Sequence, residues 1–136
     1  MFAVKRAARR FDAIAADAFA ADGLGFLEAL VLAALFFEAP RPIKPSGLAD
    51  TFATTRGNVS HAISSLEAKG LVQRAIDPED ARGYLLTLRP AGRKCALRVI
   101  AAFDRMQRVF EQTAGKSALA HALAVIRELE EAGGRR

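Results

Sequence analysis

The sequence predicts a mostly α-helical fold with one small β-hairpin, and three observations carry that prediction. Apolar residues recur at helical spacing along most of the 136 residues. Two β-type runs, Leu71–Ile76 and Tyr84–Leu88, flank one polar connector, Asp77–Gly83. Just before them, between Lys44 and Gly70, a short helix signal, a turn and a second helix follow one another. Helix, turn, helix, strand, charged connector, strand is the order of a winged helix-turn-helix, a fold that can place its second helix in a DNA groove.

Bulk properties agree with a globular chain. Residues 1–136 are expected to form a single domain, with 51% apolar and 26% charged residues. Within it, 24–89 is the winged helix-turn-helix, and helices at 2–21 and 90–132 flank it. The net charge is +5, and its placement is informative. Between Arg41 and Lys94, nine basic residues face five acidic ones, so most of the excess lies on the candidate reading region. The single cysteine, Cys95, excludes an intramolecular disulfide and fits a reducing compartment. Charged residues from Lys5 to Asp17 leave no apolar signal core. The most apolar run, Leu24–Ala39, is broken by Glu28 and falls short of the ~20 residues a membrane span needs. A cytoplasmic chain with no membrane partner is expected.

In order, Ala7, Phe11, Ile14, Ala18 and Phe19 give the first helix a narrow apolar stripe. Asp22-Gly23 ends it, and Asp22 is placed to cap the second helix. Leu24–Phe37 is apolar on nearly every face, the pattern of an enclosed helix, and Ala39-Pro40-Arg41-Pro42 stops it. Ile43 and its neighbours are candidates for a very short strand. Leu48, Ala49 and Phe52 give the next helix its inner face, with Pro45 in its first turn. Thr54 or Thr55 then caps a helix to about Lys69, with Val59, Ala62, Ile63 and Leu66 inward and Gly70 as its stop. The connector Asp77–Gly83 is too long for a two-residue turn and is expected to project as a loop. Pro90 starts a long helix to about Ala114, with a seam of Cys95, Val99, Ala102, Phe103, Met106, Phe110 and Thr113. Ser117 is the expected cap of a last helix that presents Leu119, Ala122, Leu123 and Ile126 and ends at Gly133-Gly134.

The helix from Thr55 to Lys69 turns Gly57, Asn58, His61, Ser64 and Ser65 away from Val59 and Ile63, with Ser60 at the flank. These residues are small or polar, and Asn, Ser and His can bond base edges in a major groove. Arg56, nearer the inner edge of the first turn, is assigned to a phosphate. At Gly57, close approach to DNA and a neutral surface glycine both fit. Arg82 in the connector suits a narrow minor groove, with Asp80 orienting it by a charge-assisted bond. The candidate DNA-binding set is Ser46, Thr54, Thr55, Arg56, Gly57, Asn58, Ser60, His61, Ser64, Asp80 and Arg82.

At these residues the chain resembles the MarR family of bacterial winged-helix transcriptional regulators, over roughly Leu24 to Leu97. The resemblance rests on Val59-Ser60, on Leu66-Glu67-Ala68-Lys69-Gly70-Leu71-Val72, on Asp77-Pro78-Glu79-Asp80-Ala81-Arg82, and on Leu88 and Gly92. It implies a homodimer built from the terminal helices and a palindromic double-stranded DNA operator. It also implies a repressor released by a small aromatic or phenolic effector. Arg56, Asn58, Ser60 and His61 match the family's reading helix, and Asp80 and Arg82 its wing pair. The chain departs from the family at His61, where Arg or Lys is frequent. It also has Arg82 alone where two basic residues are usual, and Arg89 where a threonine usually caps the long helix.

Enzymatic activity is not expected, nor is a metal or cofactor. His61 and His121 stand far apart, and Cys95 lies on a helix seam. Phe26, Phe36, Phe37, Phe103 and Phe110 are candidates for an effector pocket, but phenylalanines at helical spacing are more often core. Because fold does not fix function, the alternative is a winged-helix module that binds protein without binding DNA.

Overall fold

The structure is a computed structural model that describes residues 2–133. The first helix, α1 (Phe2–Phe19), buries Ala15 and Phe19 while Phe2, Val4, Phe11 and Ile14 stay exposed. A 3-10 turn, Ala20–Asp22, comes next, and Gly23 closes it with φ of +66°. Asp22 does not cap the next helix. Its carboxylate sits in the 3-10 turn and is taken by Arg98, at 2.7 Å from Nη2 and 2.9 Å from Nε. The cap of α2 (Phe26–Glu38) is instead Gly25, whose amide donates to Glu28 Oε2 at 2.7 Å. A carboxylate one turn inside the helix thus does the work expected of one before it. Ala29, Val31, Leu32 and Leu35 of α2 are buried, as its apolar pattern requires.

Helix α3 (Pro45–Thr51) buries Leu48 and Ala49, and Phe52 beyond its end is half-buried. Helix α4 (Arg56–Ala68) buries Val59, Ala62, Ile63 and Leu66. Thr55 is its cap: the Oγ1 accepts the Asn58 amide at 3.1 Å. Gly70 ends this segment at φ of +71°, a conformation that costs glycine little.

Strands β1 (Val72–Asp77) and β2 (Asp80–Leu88) form the wing and pair antiparallel from Val72↔Leu88 to Ile76↔Tyr84. The next pair is Asp77↔Asp80. The hairpin therefore turns through Pro78-Glu79, and Ala81, Arg82 and Gly83 bulge from β2 without cross-strand partners. This corrects the expected seven-residue loop. Two aspartates cause the difference. Asp77 Oδ1 accepts the Glu79 amide and Asp80 Oδ1 accepts the Arg82 amide, both at 3.0 Å, so each side chain folds the backbone two residues on. Ile43 forms a single bridge to Leu86, the very short strand anticipated there.

Helix α5 (Pro90–Ala114) begins where Gly92 meets the backbone of Leu71. A Cβ at Gly92 would collide with the Leu71 carbonyl, which also accepts the Arg89 amide at 3.0 Å. Cys95, Ala96 and Val99 are buried. The chain divides within α5 into two compact units, Met1–Ile100 and Ala101–Arg136. The second holds the rest of α5 and helix α6 (Lys116–Gly133), which has no buried residue. Gly115, at φ of +84°, makes the turn between these helices. Its carbonyl accepts the Leu119 amide at 3.1 Å, so Ser117 lies inside α6 and is not its cap. Leu123, Ile126 and Leu129 remain exposed on α6. The expected end at Gly133-Gly134 is met as far as Gly133; Gly134 lies outside the described residues.

Candidate nucleic-acid interface

With Val59, Ala62, Ile63 and Leu66 buried, a turn of ~100° per residue fixes where every other α4 side chain lies. Gly57, His61 and Ser64 point most directly outward, and all are exposed. Arg56 and Ser60 lie on the flank towards the wing, Asn58 and Ser65 on the flank towards α2. The expected reading face is thus split between two different surroundings.

On the wing flank, Ser46, Arg56, Ser60 and Tyr84 line one notch with Pro45 and Val59. A second notch beside it is lined by Lys44, Ser46, Asp77, Asp80, Arg82 and Tyr84, among others. Ser46 and Tyr84 belong to both, so the structure brings the wing arginine, the first turn of α4 and the start of α3 to one surface. Asp80 binds Arg82 through its backbone amide, and the two side chains form no ion pair. Asp80 therefore shapes the bulge and leaves the guanidinium free to reach outward.

On the other flank, Thr54, Asn58, His61, Ala62 and Ser65 line a cavity of about 820 Å³ with Asp12, Phe26, Leu27, Leu30 and Phe52. The Asn58 side chain donates to Thr54 Oγ1 at 3.1 Å, which turns it along the helix start and away from the outermost face. Thr55 spends its oxygen on the cap. Of the phenylalanines singled out, Phe26 lines this cavity, while Phe37 is exposed and the Phe36 ring lies 5.0 Å from the Arg93 guanidinium. Phe103 and Phe110 belong to the second unit.

Three charged residues missed by the sequence reading hold this surface in place. Lys44 Nζ lies 2.9 Å from Asp77 Oδ2. That ammonium, with the Glu79 amide, holds the buried Asp77 carboxyl below the usual carboxylate range. Arg74 donates to Ser64 Oγ at 2.9 Å and lies 3.0 Å from Glu67 Oε2. Strand alternation was the available signal, because residue 74 shares a face with Val72, which packs inward. Since Ser64 Oγ accepts from Arg74, its own proton stays available for an acceptor on a base. Lys69, at the end of α4, donates to Glu28 Oε1 at 2.8 Å and to the Gly23 carbonyl at 2.7 Å. Burial alone would raise the Glu28 carboxyl. Bonds from Lys69, Ser65 and the Gly25 amide outweigh it and leave the group lowered.

Burial pushes the Cys95 thiol up, and the nearby Asp22 carboxylate adds to this, the opposite of an activated thiolate. Among the described residues, no group of three or more His, Cys, Asp or Glu is arranged to hold a metal. No single described helix is long and apolar enough to cross a membrane.

Residues 22–83, which span α2, α3, α4 and most of the wing, match the family model of the MarR family. Over that stretch the chain is similar to the MarR family. The match supports reading the chain as a DNA-binding transcriptional regulator. No curated protein sequence matches it. Among solved structures, it is similar to MepR of S. aureus in complex with DNA, with a TM-score of 0.87, 17% identity and 96% of each chain covered. A probable transcriptional regulator from Pseudomonas aeruginosa gives 0.81, 24% and 94% of each chain. BpsR of Bordetella bronchiseptica, whose DNA binding is regulated by 6-hydroxynicotinic acid, gives 0.79 and 19%, with 95% of this chain and 96% of the other covered. At these identities the solved structures speak to the MarR fold.

Proposed function

We propose that the chain acts as a homodimeric repressor on a palindromic operator in the cytoplasm. Arg56, Gly57, Ser60, His61 and Ser64 face the major groove, with Ser46 beside them. Arg82 enters the adjacent minor groove from the bulge that Asp80 shapes. The observation that carries this reading is the meeting of Ser46, Arg56, Ser60 and Arg82 around two shared notches on the wing flank of α4. Cationic groups at the edges and small polar groups at the centre suit phosphate positioning and base readout respectively.

Pairing of two copies is supported by exposed apolar residues on the first and last helices. Phe2, Val4 and Ile14 on α1, and Leu123, Ile126 and Leu129 on α6, are all at least 44% exposed. Helices in proteins owe most of their stability to packing of an apolar face, and α6 buries nothing, so a second chain is what would stabilise it. The cavity between Asp12, Phe26, Phe52 and His61 is the place where a small aromatic or phenolic effector would act. It is large enough for one, and it shares His61 with the reading face. The regulation of BpsR by an aromatic acid supports this effector class.

The test is operator binding against salt, using sequences selected from random DNA, with sedimentation to count the chains. A dimer whose affinity falls steeply with salt is expected, because bound phosphates release counterions. Arg82→Ala should lower the slope by about 1 for each bound protomer. Salt-independent binding, or selection that recovers no common sequence, would favour a protein partner and sink the proposal.

A further inference from the structure

The guanidinium of Arg74 is shared between the reading helix and the wing. Its Nη2 donates to Ser64 Oγ at 2.9 Å and its Nε lies 3.0 Å from Glu67 Oε2. Its face lies over the Tyr84 ring, 4.6 Å from the centroid. Ser64 and Glu67 are one turn apart on α4. Tyr84 is the first residue of β2 in regular pairing after the bulge that carries Arg82, and it lines both notches on the wing flank. One planar cation thus fastens α4 by its edge and the base of the bulge by its face.

We infer that Arg74 is a positioning residue that sets the distance between the reading helix and the wing arginine, and so lets Arg82 enter the minor groove while α4 is in the neighbouring major groove. This rests on the DNA-binding role proposed above. The Arg74 side chain is about one-third exposed, so its ion pair with Glu67 adds little to stability. Its value is geometric. Only a guanidinium combines edge hydrogen bonds with stacking on an aromatic face, whereas a lysine keeps the charge and loses the arrangement.

The experiment compares salt slopes of operator binding for the wild type, Arg74→Lys, Tyr84→Leu, Arg82→Ala and the Arg74→Lys/Arg82→Ala double variant, with thermal melts alongside. Arg74→Lys is expected to lower the slope by about 1 per protomer although the charge count is unchanged, as Arg82→Ala does. The double variant should fall no further than Arg82→Ala alone, because both changes remove the same contact. Tyr84→Leu should reproduce the slope of Arg74→Lys, which keeps the test open if one variant folds poorly. A wild-type slope in both Arg74→Lys and Tyr84→Leu would overturn the inference and leave the DNA-binding role standing. So would a double variant whose slope drops by the sum of the single effects, since Arg74 would then touch its own phosphate. A wild type with no salt dependence would overturn both.

Discussion

The two flanks of α4 carry similar polar residues and differ in what surrounds them. On the wing flank, Arg56 and Ser60 face a surface tied together by Lys44–Asp77 and by the bonds of Arg74 to Ser64 and Glu67. On the α2 flank, Asn58 and His61 border a cavity of about 820 Å³ with Phe26, Leu27, Leu30 and Phe52 on its walls. One flank is held by short polar bonds at the position from which it would meet DNA. The other has room to change. A regulator released by a ligand needs both properties in one helix: a fixed geometry for reading, and an adjacent space whose filling can move that geometry. Under the proposed function, the two properties fall on opposite sides of α4.

The largest effect is expected from removing what both flanks stand on. Gly92 seats α5 against the Leu71 carbonyl, directly after the turn that joins α4 to β1. Gly92→Ala has no space for its methyl group and must displace backbone, which should cost about 3 kcal/mol, the upper end of overpacking effects. Denaturant unfolding would read this as a lowered midpoint with an unchanged slope, and DNA affinity should fall only as far as the folded fraction does. A melt indistinguishable from wild type would show that α5 can slide without penalty, and that the wing flank is less rigid than its bonds suggest.

A smaller effect belongs to the far end of α4. Lys69 is clamped to Glu28 and to the Gly23 carbonyl, which ties the end of α4 to the start of α2. Glu28→Gln keeps an acceptor for the Gly25 amide and loses the charge that faces Lys69. With Lys69 partly exposed, about 1 kcal/mol is at stake. The folded-state Glu28 carboxyl is lowered, so the stabilisation is present above the unfolded pKa and is lost as pH falls through the folded value. The gap between wild type and Glu28→Gln should therefore be full at neutral pH and close in acid, below the usual carboxylate range. A gap that stays constant with pH would show that the ion pair contributes nothing to stability.

Much of this is legible in the sequence alone. The inward sets of α4 and α3, the Gly70 stop and the helix-turn-helix-hairpin order all come from periodicity and from residues with narrow conformational roles. Four features are not legible there, each for a physical reason. The split of the reading face depends on which elements pack beside α4, and a helical wheel describes only the helix itself. The wing tip departs from the expected loop because Asp77 and Asp80 each bond an amide two residues on, converting it into a tight turn and a bulge. Arg74 escapes a sequence reading because its partners, Ser64, Glu67 and Tyr84, come together only when the strand folds back on the helix. The caps of α2 and α6 differ for a similar reason: Gly25 with Glu28, and Gly115, replace the better single-residue candidates Asp22 and Ser117.

The smallest change sharpens the comparison most, because it falls on the residue that belongs to both sides. His61 is exposed near the outermost line of α4, and it also lines the cavity. If its imidazole reads a base, His61→Ala should alter preference at one position in each half-site by roughly 1 kcal/mol, about fivefold, less than a bidentate contact provides. If it serves the cavity alone, the selected sequence stays the same and only the response to an aromatic effector shifts. The shared position predicts both outcomes together: a local change in base preference, and a changed effector concentration for half-release. Selection from random DNA measures the first and a release titration the second. Uniform weakening across all sequences, with release unaltered, would show that His61 contributes only to the general surface. The division between a reading flank and a responding flank would then lose its meeting point.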